Sequence, residues 1–403
     1  MKLPRVIEPL RHRDFRLLWT GQTLTLLGSF VSQVAYPFQI LQLGGSALEL
    51  GALASIYTAS SLVFLLLGGA VADRVPRRML IIVTELASGV ITGAMALLGL
   101  AGVLQIWHLY IAVALFGAAT AFSVPAIGAL IPELVPEEIL VPGNAIRGLS
   151  RQASRTGGPV IGGLLVAFAG PAAAFALDAV TFFVSALAVW FIRARPIVVP
   201  KVATSIVADI REGFAFVFAT QWLWVTIFGW SLINAGFIGA FVVGLPLLVT
   251  KTLGAGAVAF GFISAAIGVG EAVGATVIGQ VRIRRVGIAI YLFGVMSGVG
   301  LLLYGLVPTL PGALIAGVLI GFSFVCFGVL WESALQRHVP RHMLGRVTSV
   351  DWFGGGLLGP VAPIAAALFS QAYGPPALFI AAGCIAIALT LLGFLLPSIR
   401  QLE

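Results

Sequence analysis

The sequence predicts an all-α integral membrane protein whose twelve transmembrane helices form two parallel six-helix bundles. Three observations predict this fold class: long apolar stretches separated by short polar gaps, basic residues confined to alternate gaps, and side chains that repeat between the two halves. Of the 403 residues, 60% are hydrophobic and 9% are charged. Soluble domains carry roughly 25% charged residues, because their surface must match water. The composition therefore indicates a polytopic membrane protein.

A hydropathy window of about 19 residues separates twelve apolar stretches. The predicted helices cover 16–43, 48–72, 79–102, 106–131, 145–169, 172–193, 222–249, 257–279, 286–307, 311–335, 348–371 and 375–396. The N-terminal bundle is then 1–193 and the C-terminal bundle 221–403. A cytoplasmic linker, 194–220, joins them, and its segment 205–218 predicts an amphipathic helix on the membrane surface.

The basic residues predict the orientation. Of the 23 Lys and Arg residues, only Lys251 falls outside one set of alternate gaps. Lys and Arg stay on the cytoplasmic side during insertion, so we expect both termini in the cytoplasm. The net charge of +8 is dispersed over these gaps. We therefore expect membrane lipids rather than nucleic acid as partners, and a monomer.

Enzymatic and metal-binding functions are not predicted. Cys326 and Cys384 both lie inside apolar stretches, and no C-x-x-C spacing occurs. No nucleophile–base constellation, phosphate loop or metal-ligand set is recognisable. We expect no cofactor.

Side chains in the two halves repeat at a constant offset of 204 positions, which indicates duplication. The pairs are Val135-Pro136 with Val339-Pro340, Leu140 with Leu344, Pro159 with Pro363, Gly170-Pro171 with Gly374-Pro375, and Phe175 with Phe379. Equivalent positions facing the same side of the membrane predict halves related by an axis along the membrane normal. Alternating access, with one half rocking against the other, suits such an arrangement.

The gap after the second predicted helix contains a charged motif. Its residues are Gly69, Asp73, Arg74, Arg77 and Arg78. The motif resembles the signature loop of the major facilitator superfamily, although Pro76 stands where that pattern usually has Gly. We interpret the motif as a conformational latch between the bundles, since a carboxylate beside basic groups can hold two bundles in one state. A basic anchor with a tight turn is the alternative.

The fifth predicted helix carries Gly158, Pro159, Gly162 and Gly163. This Gly-Pro-x-x-Gly-Gly spacing resembles the motif that marks antiporters within the superfamily. Proline removes a backbone hydrogen bond and glycines permit close approach, so the motif predicts a helix that bends at a gate. Ordinary helix packing is the alternative.

Longer stretches extend the resemblance to the DHA3 branch of drug:proton antiporters, which includes bacterial macrolide, multidrug and siderophore exporters. These stretches are Phe122–Ala126, Ile131–Pro136, Asn144, Phe175–Phe183 and Gly345–Val347. The resemblance implies the major facilitator fold and proton-coupled export of lipophilic or amphipathic compounds across a bacterial-type inner membrane, with a proton gradient as the energy source. It does not specify the substrate.

Two carboxylates inside predicted helices are the proton-coupling candidates, since ionisable residues are costly there and are functional by default. Glu271 lies near the middle of the eighth helix between Gly270 and Gly274, and Asp178 lies on the sixth. For Glu271 the alternative is a fixed hydrogen bond or ion pair that holds two helices together. For Asp178 it is a structural role near a helix N-terminus, where the macrodipole favours an anion. Glu85 is interpreted as part of the cytoplasmic charge network.

Other polar residues are candidates for a substrate cavity. They are Gln33, Tyr36, Gln39, Asn234 and Arg155. Arg147, Arg151 and Arg155 form a basic stripe, of which the first two are expected to reach the cytoplasm. For Arg155 an ion pair with Glu85 is favoured over a place in the cavity.

The sequence thus predicts a secondary active exporter, by proton antiport, of small amphipathic compounds. One alternative is a lipid or lysolipid transporter, or an uncoupled facilitator, on the same fold. Another is a receptor or scaffold that transports nothing, which would need neither membrane carboxylates nor helix-bending glycines.

Overall fold

In a computed structural model the chain is helical, and the structure describes residues 5–72, 75–193, 206–281 and 283–402. The helices of the first half are α1 Arg13–Gln42, α2 Ala47–Ala72, α3 Arg77–Leu100, α4 Ile106–Leu134, α5 Leu140–Ala169 and α6 Pro171–Trp190. The remaining helices are α7 Ile206–Ala219, α8 Gln221–Gly239, α9 Leu245–Leu247, α10 Ala257–Ile278, α11 Val286–Leu306, α12 Leu310–His338, α13 Arg341–Gly356, α14 Ala362–Tyr373, α15 Pro375–Phe394 and α16 Pro397–Arg400. A π-helical segment, Ala240–Gly244, joins α8 to α9, and a second one, Leu248–Thr252, continues α9 to the end of the same span.

Ten of these described helical spans are long and apolar enough to cross a membrane. The other two predicted spans are α5, which carries the arginine stripe, and the pair α13–α14. Each predicted transmembrane helix therefore has a helical counterpart. A helix is also present in the linker, as α7, and its place on the membrane surface stays a prediction.

The helices group into two compact units, Met1–Val199 with Ala255–Ala265, and Pro200–Gly254 with Ala266–Glu403. Two features differ from the predicted boundaries. Residues Ala255–Ala265 join the first unit, where a Cβ added at Gly163 would lie 2.5 Å from the carbonyl oxygen of Ala257. Helix α7 joins the second unit, where Glu212 pairs with Arg346 of α13 at 2.8 Å.

The internal repeat is visible in the helix ends. Helices α4 and α12 have the same length and are displaced by 204 positions, 106–134 against 310–338. Helices α6 and α15 have the same relation, 171–190 against 375–394. Each of these two is entered through a glycine in the left-handed region, Gly170 at φ 80° and Gly374 at φ 86°, followed by proline. Only glycine adopts this conformation without strain.

The eleventh predicted helix is not continuous, which corrects the predicted span 348–371. Helix α13 ends at Gly356 and α14 begins at Ala362, whereas α5 in the first half passes through the equivalent positions unbroken. Pro360 has no N–H to donate to the carbonyl of Gly356. Three consecutive glycines, 354–356, precede it, and glycine has a lower helix propensity than any residue except proline. The amide of Gly359 instead donates to the carbonyl of Gly356 at 2.9 Å.

This break leaves the carbonyl of Gly355 without its helical donor, and Asn234 takes that place. The Asn234 Nδ2 group donates to this carbonyl at 2.8 Å. We expect Asn234→Ala to lower the free energy of unfolding by about 1–2 kcal/mol, because a carbonyl shielded from water loses its donor. Thermal unfolding of the purified protein measures this loss. Gln33→Ala, at an exposed position, is the control, and equal stability of the two variants would contradict the assignment.

Candidate functional site

The first unit contains an open cavity of about 610 Å³ to which all six helices α1–α6 contribute. Its aromatic wall consists of Trp19, Tyr57, Phe116 and Phe182. Hydroxyl and amide groups line much of the remainder: Gln22, Thr23, Thr25, Ser29, Thr84, Ser88, Thr120, Ser123, Asn144 and Ser150. The charged lining residues are Glu85, Arg147 and Arg151. Pockets that bind drug-sized molecules have volumes of roughly 300–1,000 Å³ and similarly mixed walls.

Glu85 lies in this wall and is 4% exposed. Gln22 Nε2 donates to Glu85 Oε1 at 2.8 Å, and the Thr25 hydroxyl lies 3.3 Å from Oε2. Neutral groups of α1 therefore satisfy the hydrogen-bonding capacity of this carboxylate. Glu85 does not form the ion pair with Arg155 that the sequence predicted. The sequence alone did not place Glu85 in a cavity wall, because only the fold shows that Gln22 and Thr25 face α3.

Asp178 is buried one layer behind the cavity, at 1% exposure. The Ser32 hydroxyl donates to Asp178 Oδ2 at 2.6 Å, and the Ser29 hydroxyl lies 3.5 Å from Oδ1. Helices α1 and α6 approach closely here: a Cβ added at Gly28 would lie 2.8 Å from Asp178 Oδ1. Ser29 also lines the cavity, so one hydroxyl connects the cavity with the buried carboxylate.

Arg147 and Arg151 occupy another part of the wall. They are four residues apart on α5, so both project from one face of that helix. Arg147 is half-buried and Arg151 is exposed. The prediction that they only reach the cytoplasm is incomplete, since both line the cavity. Arg155, the third member of the stripe, is exposed and is not among the lining residues.

The residues predicted for a substrate cavity do not line this one. Tyr36 packs edge-on against Phe175 with ring centroids 5.0 Å apart, Gln33 is exposed and Gln39 is buried. Asn234 caps the break in the second unit. The cavity uses the part of α1 that begins at Trp19 and ends at Ser29, about one turn before the predicted residues.

In the second unit, Glu271 is 3% exposed on α10. The backbones of α10 and α12 touch on either side of it. A Cβ at Gly270 would overlap the carbonyl oxygen of Val318, and a Cβ at Gly321 would overlap that of Ile267. The close helix approach that the flanking glycines predicted is therefore present around this carboxylate.

The glycines of the predicted gating motif also lie at close contacts. A Cβ at Gly158 would be 2.5 Å from Phe30 Cβ, and one at Gly162 would be 2.6 Å from the carbonyl oxygen of Val31. Helix α5 continues through Pro159. The structure thus accounts for Gly158 and Gly162 by packing against α1, and for Gly163 by packing against Ala257 of α10. Bending at a gate stays a prediction.

Of the predicted latch, Arg77 and Arg78 can be placed, whereas Asp73 and Arg74 lie outside the described residues and Gly69 lies near the end of α2. Arg77 forms an ion pair with Glu133 of α4 and donates to the carbonyl of Ala129 at 3.0 Å. Arg78 donates to the carbonyl of Val189 at the end of α6. Both arginines therefore bind within their own unit, where they tie α3 to α4 and α6.

We expect Arg77→Ala to destabilise the protein by about 3 kcal/mol, because it leaves Glu133, 6% exposed, without its cation. Thermal unfolding checks this loss. Combining the change with Glu133→Gln should restore part of the stability, and a double variant no more stable than Arg77→Ala would argue against the ion pair.

The identity of the family follows from comparison over the whole length. A family model described as a transmembrane secretion effector of the major facilitator type matches residues 5–401. The chain belongs to this family. Its fold is accordingly the major facilitator fold, all-α and membrane-integral. Within the described residues every one of the twelve predicted spans has a helical counterpart.

Known members of the superfamily resemble the chain in sequence and in structure. The enterobactin exporter EntS of Shigella dysenteriae is 27% identical over 358 residues, which cover 86% of this chain and 85% of that protein. EntS of Escherichia coli O81 matches equally well. A bacterial homologue of the iron transporter ferroportin has a TM-score of 0.75 at 18% identity, covering 94% of this chain and 98% of that one. The nucleoside transporter NupG has a TM-score of 0.77 at 13% identity, covering 94% and 98%.

These comparisons make the chain a multi-pass membrane protein of an exporter family. The curated relatives are transporters rather than enzymes. The solved structures support the fold alone, since their sequence identity is low.

Proposed function

We propose that this major facilitator protein is a secondary active exporter that moves a small amphipathic compound outward in exchange for protons, by alternating access. The observation that carries the proposal is Asp178. This carboxylate is fully buried in a membrane-spanning unit, its hydrogen-bond donors are serine hydroxyls, and one of them, Ser29, lines the cavity.

The physical argument rests on the cost of charge in the membrane interior. Burial disfavours an ionised carboxylate, and proton binding removes that penalty. A proton on Asp178 therefore changes the relative free energies of two conformations that expose the site differently. Such a difference in affinity is what a coupling ion must supply.

Glu271 is the corresponding group of the second unit. It is equally buried, and the backbones of α10 and α12 meet beside it. A change of its charge takes place beside that helix contact. We propose that protonation of Glu271, together with Asp178, favours the conformation that returns from the outside.

The cavity of the first unit supports a role in loading the substrate. Its volume of about 610 Å³ accommodates a drug-sized molecule, and its aromatic and hydroxyl-rich wall suits an amphipathic one. In the topology that the basic residues predict, both termini are cytoplasmic in a bacterial inner membrane, and the α5 end that carries Asn144 and Arg147 faces the cytoplasm. Because curated relatives are named enterobactin exporters, enterobactin is the first compound to test, beside a lipophilic dye.

Proteoliposomes containing the purified protein test this function. We expect an imposed gradient of 2 pH units to drive enterobactin or dye above its equilibrium distribution, and a proton ionophore to abolish the accumulation. Movement that only equilibrates the compound, whatever the gradient, would contradict antiport and favour a facilitator. Movement of a fluorescent lysolipid in place of both compounds would favour a lipid transporter.

A further inference from the structure

We infer that the cavity of the first unit is selective for aromatic organic anions, with Arg147 and Arg151 binding the anionic group and the ring cluster Tyr57–Phe116–Phe182 holding the aromatic body. This inference deepens the proposed function, on which it rests, by naming the charge class of the substrate.

The charge of the wall is the first argument. Two guanidinium groups and one carboxylate line the cavity, which leaves a net positive wall. Neither Arg147 nor Arg151 forms an ion pair or side-chain hydrogen bond with any residue that the structure describes. A cation in such a wall is stabilised by an anion from outside the protein, and a guanidinium pairs with carboxylates through two parallel hydrogen bonds.

The partners of the carboxylate are the second argument. Glu85 is 4% exposed and both of its oxygens face neutral donors, Gln22 and Thr25. Arg147 is only half-buried and Arg151 is exposed, so the cationic groups are more accessible to a ligand than the carboxylate is. The accessible charge in the cavity is therefore positive.

The ring cluster supplies the third argument. The ring of Phe116 lies between those of Tyr57, with centroids 6.4 Å apart, and Phe182, at 5.7 Å in an edge-on arrangement. All three rings line the cavity. A continuous aromatic wall favours a planar aromatic body, which stacks on or meets the rings edge to face. One cavity thus combines an anion-binding group with an aromatic surface.

Binding of three probes that share one ring system tests the inference: 2-naphthoate, the neutral 2-naphthamide and the cationic 2-naphthylmethylamine. Calorimetric titration of the full-length protein in detergent, without any gradient, should give the tightest binding for the carboxylate. We expect Arg147→Gln and Arg151→Gln each to weaken naphthoate binding about tenfold while changing naphthamide binding less than twofold. Arg147→Lys should retain part of the affinity.

Arg155→Gln is the matched control, because it removes a positive charge from the same stripe of α5 without altering the wall. It should leave the affinity for naphthoate unchanged. Glu85→Gln should leave naphthoate binding unchanged or strengthen it, since it removes the negative charge.

Three results would overturn the inference. These are an equal loss for all three probes in the Arg147 and Arg151 variants, an equal effect of Arg155→Gln, or tighter binding of the amine that disappears in Glu85→Gln. The measurement involves no proton gradient. Failure of proton coupling would therefore remove the proposed antiport and leave this charge preference intact, whereas loss of the preference would leave antiport standing.

Discussion

Uphill export should disappear in Glu271→Gln while substrate exchange down a gradient persists. A difference of 2 pH units stores about 2.7 kcal/mol per proton, enough to sustain about a 100-fold substrate ratio for a one-for-one antiporter. Without a titratable group at position 271, that free energy no longer reaches the substrate. The ratio should fall to about 1 in proteoliposomes, with counterflow exchange at near wild-type rates.

Two companion variants make this result interpretable. Asp178→Asn keeps the size of the side chain and one oxygen for the Ser32 hydroxyl to bind, so its effect on uphill export reports on charge at the second candidate. Glu332→Gln, at an exposed position of α12, removes a carboxylate outside the buried set and should export normally. Normal uphill export by Glu271→Gln would show that this carboxylate is structural.

A second large effect is expected from Gly321→Leu. The added side chain would occupy the position of the Ile267 carbonyl. Its Cβ alone would already lie 3.0 Å from the backbone nitrogen of Glu271. Overpacking usually costs about 1–3 kcal/mol, and here the obstacle is backbone, which cannot move aside as a flexible side chain does. We expect a loss of at least about 3 kcal/mol and little monodisperse protein after purification.

Gly328→Leu is the control on the same helix. No atom lies within 4 Å of a Cβ built at Gly328, so a leucine there meets open space. Yield and thermal unfolding should match the wild type. A stable, well-folded Gly321→Leu protein would contradict the close contact between α10 and α12.

Much of the fold was predictable because long apolar stretches and short glycine and proline motifs can be recognised locally along the chain. The repeat of 204 positions in Gly170-Pro171 and Gly374-Pro375 reappears in the ends of the equivalent helices. Closely spaced glycines also predicted the tight contact around Glu271. In each case the information lies in a few neighbouring residues.

Features that depend on distant partners were not predicted. At the break between α13 and α14, the carbonyl of Gly355 is satisfied by Asn234, which is more than 100 residues away. The hydropathy window does not detect this break, because the residues on both sides of it are apolar. Glu85 and Arg147 are near helix ends in the sequence, where charge is ordinarily a solvated anchor. Only the assembled unit shows that both line a cavity.

The same limit applies to the charged motif after α2. The sequence indicated a latch between bundles, and the described arginines bind inside the first unit, Arg77 to Glu133 and Arg78 to the end of α6. A latch function for Asp73 and Arg74 stays a prediction.

Proton movement caused by the substrate itself tests the central claim most directly. Wild-type proteoliposomes with equal pH on both sides and a pH-sensitive dye inside receive a gradient of enterobactin or of the exported dye alone. We predict that substrate flowing into the vesicles drives protons out, so that the internal pH rises. This change should be lost in Glu271→Gln or Asp178→Asn. Substrate that crosses with no change of internal pH in the wild-type protein would contradict proton antiport.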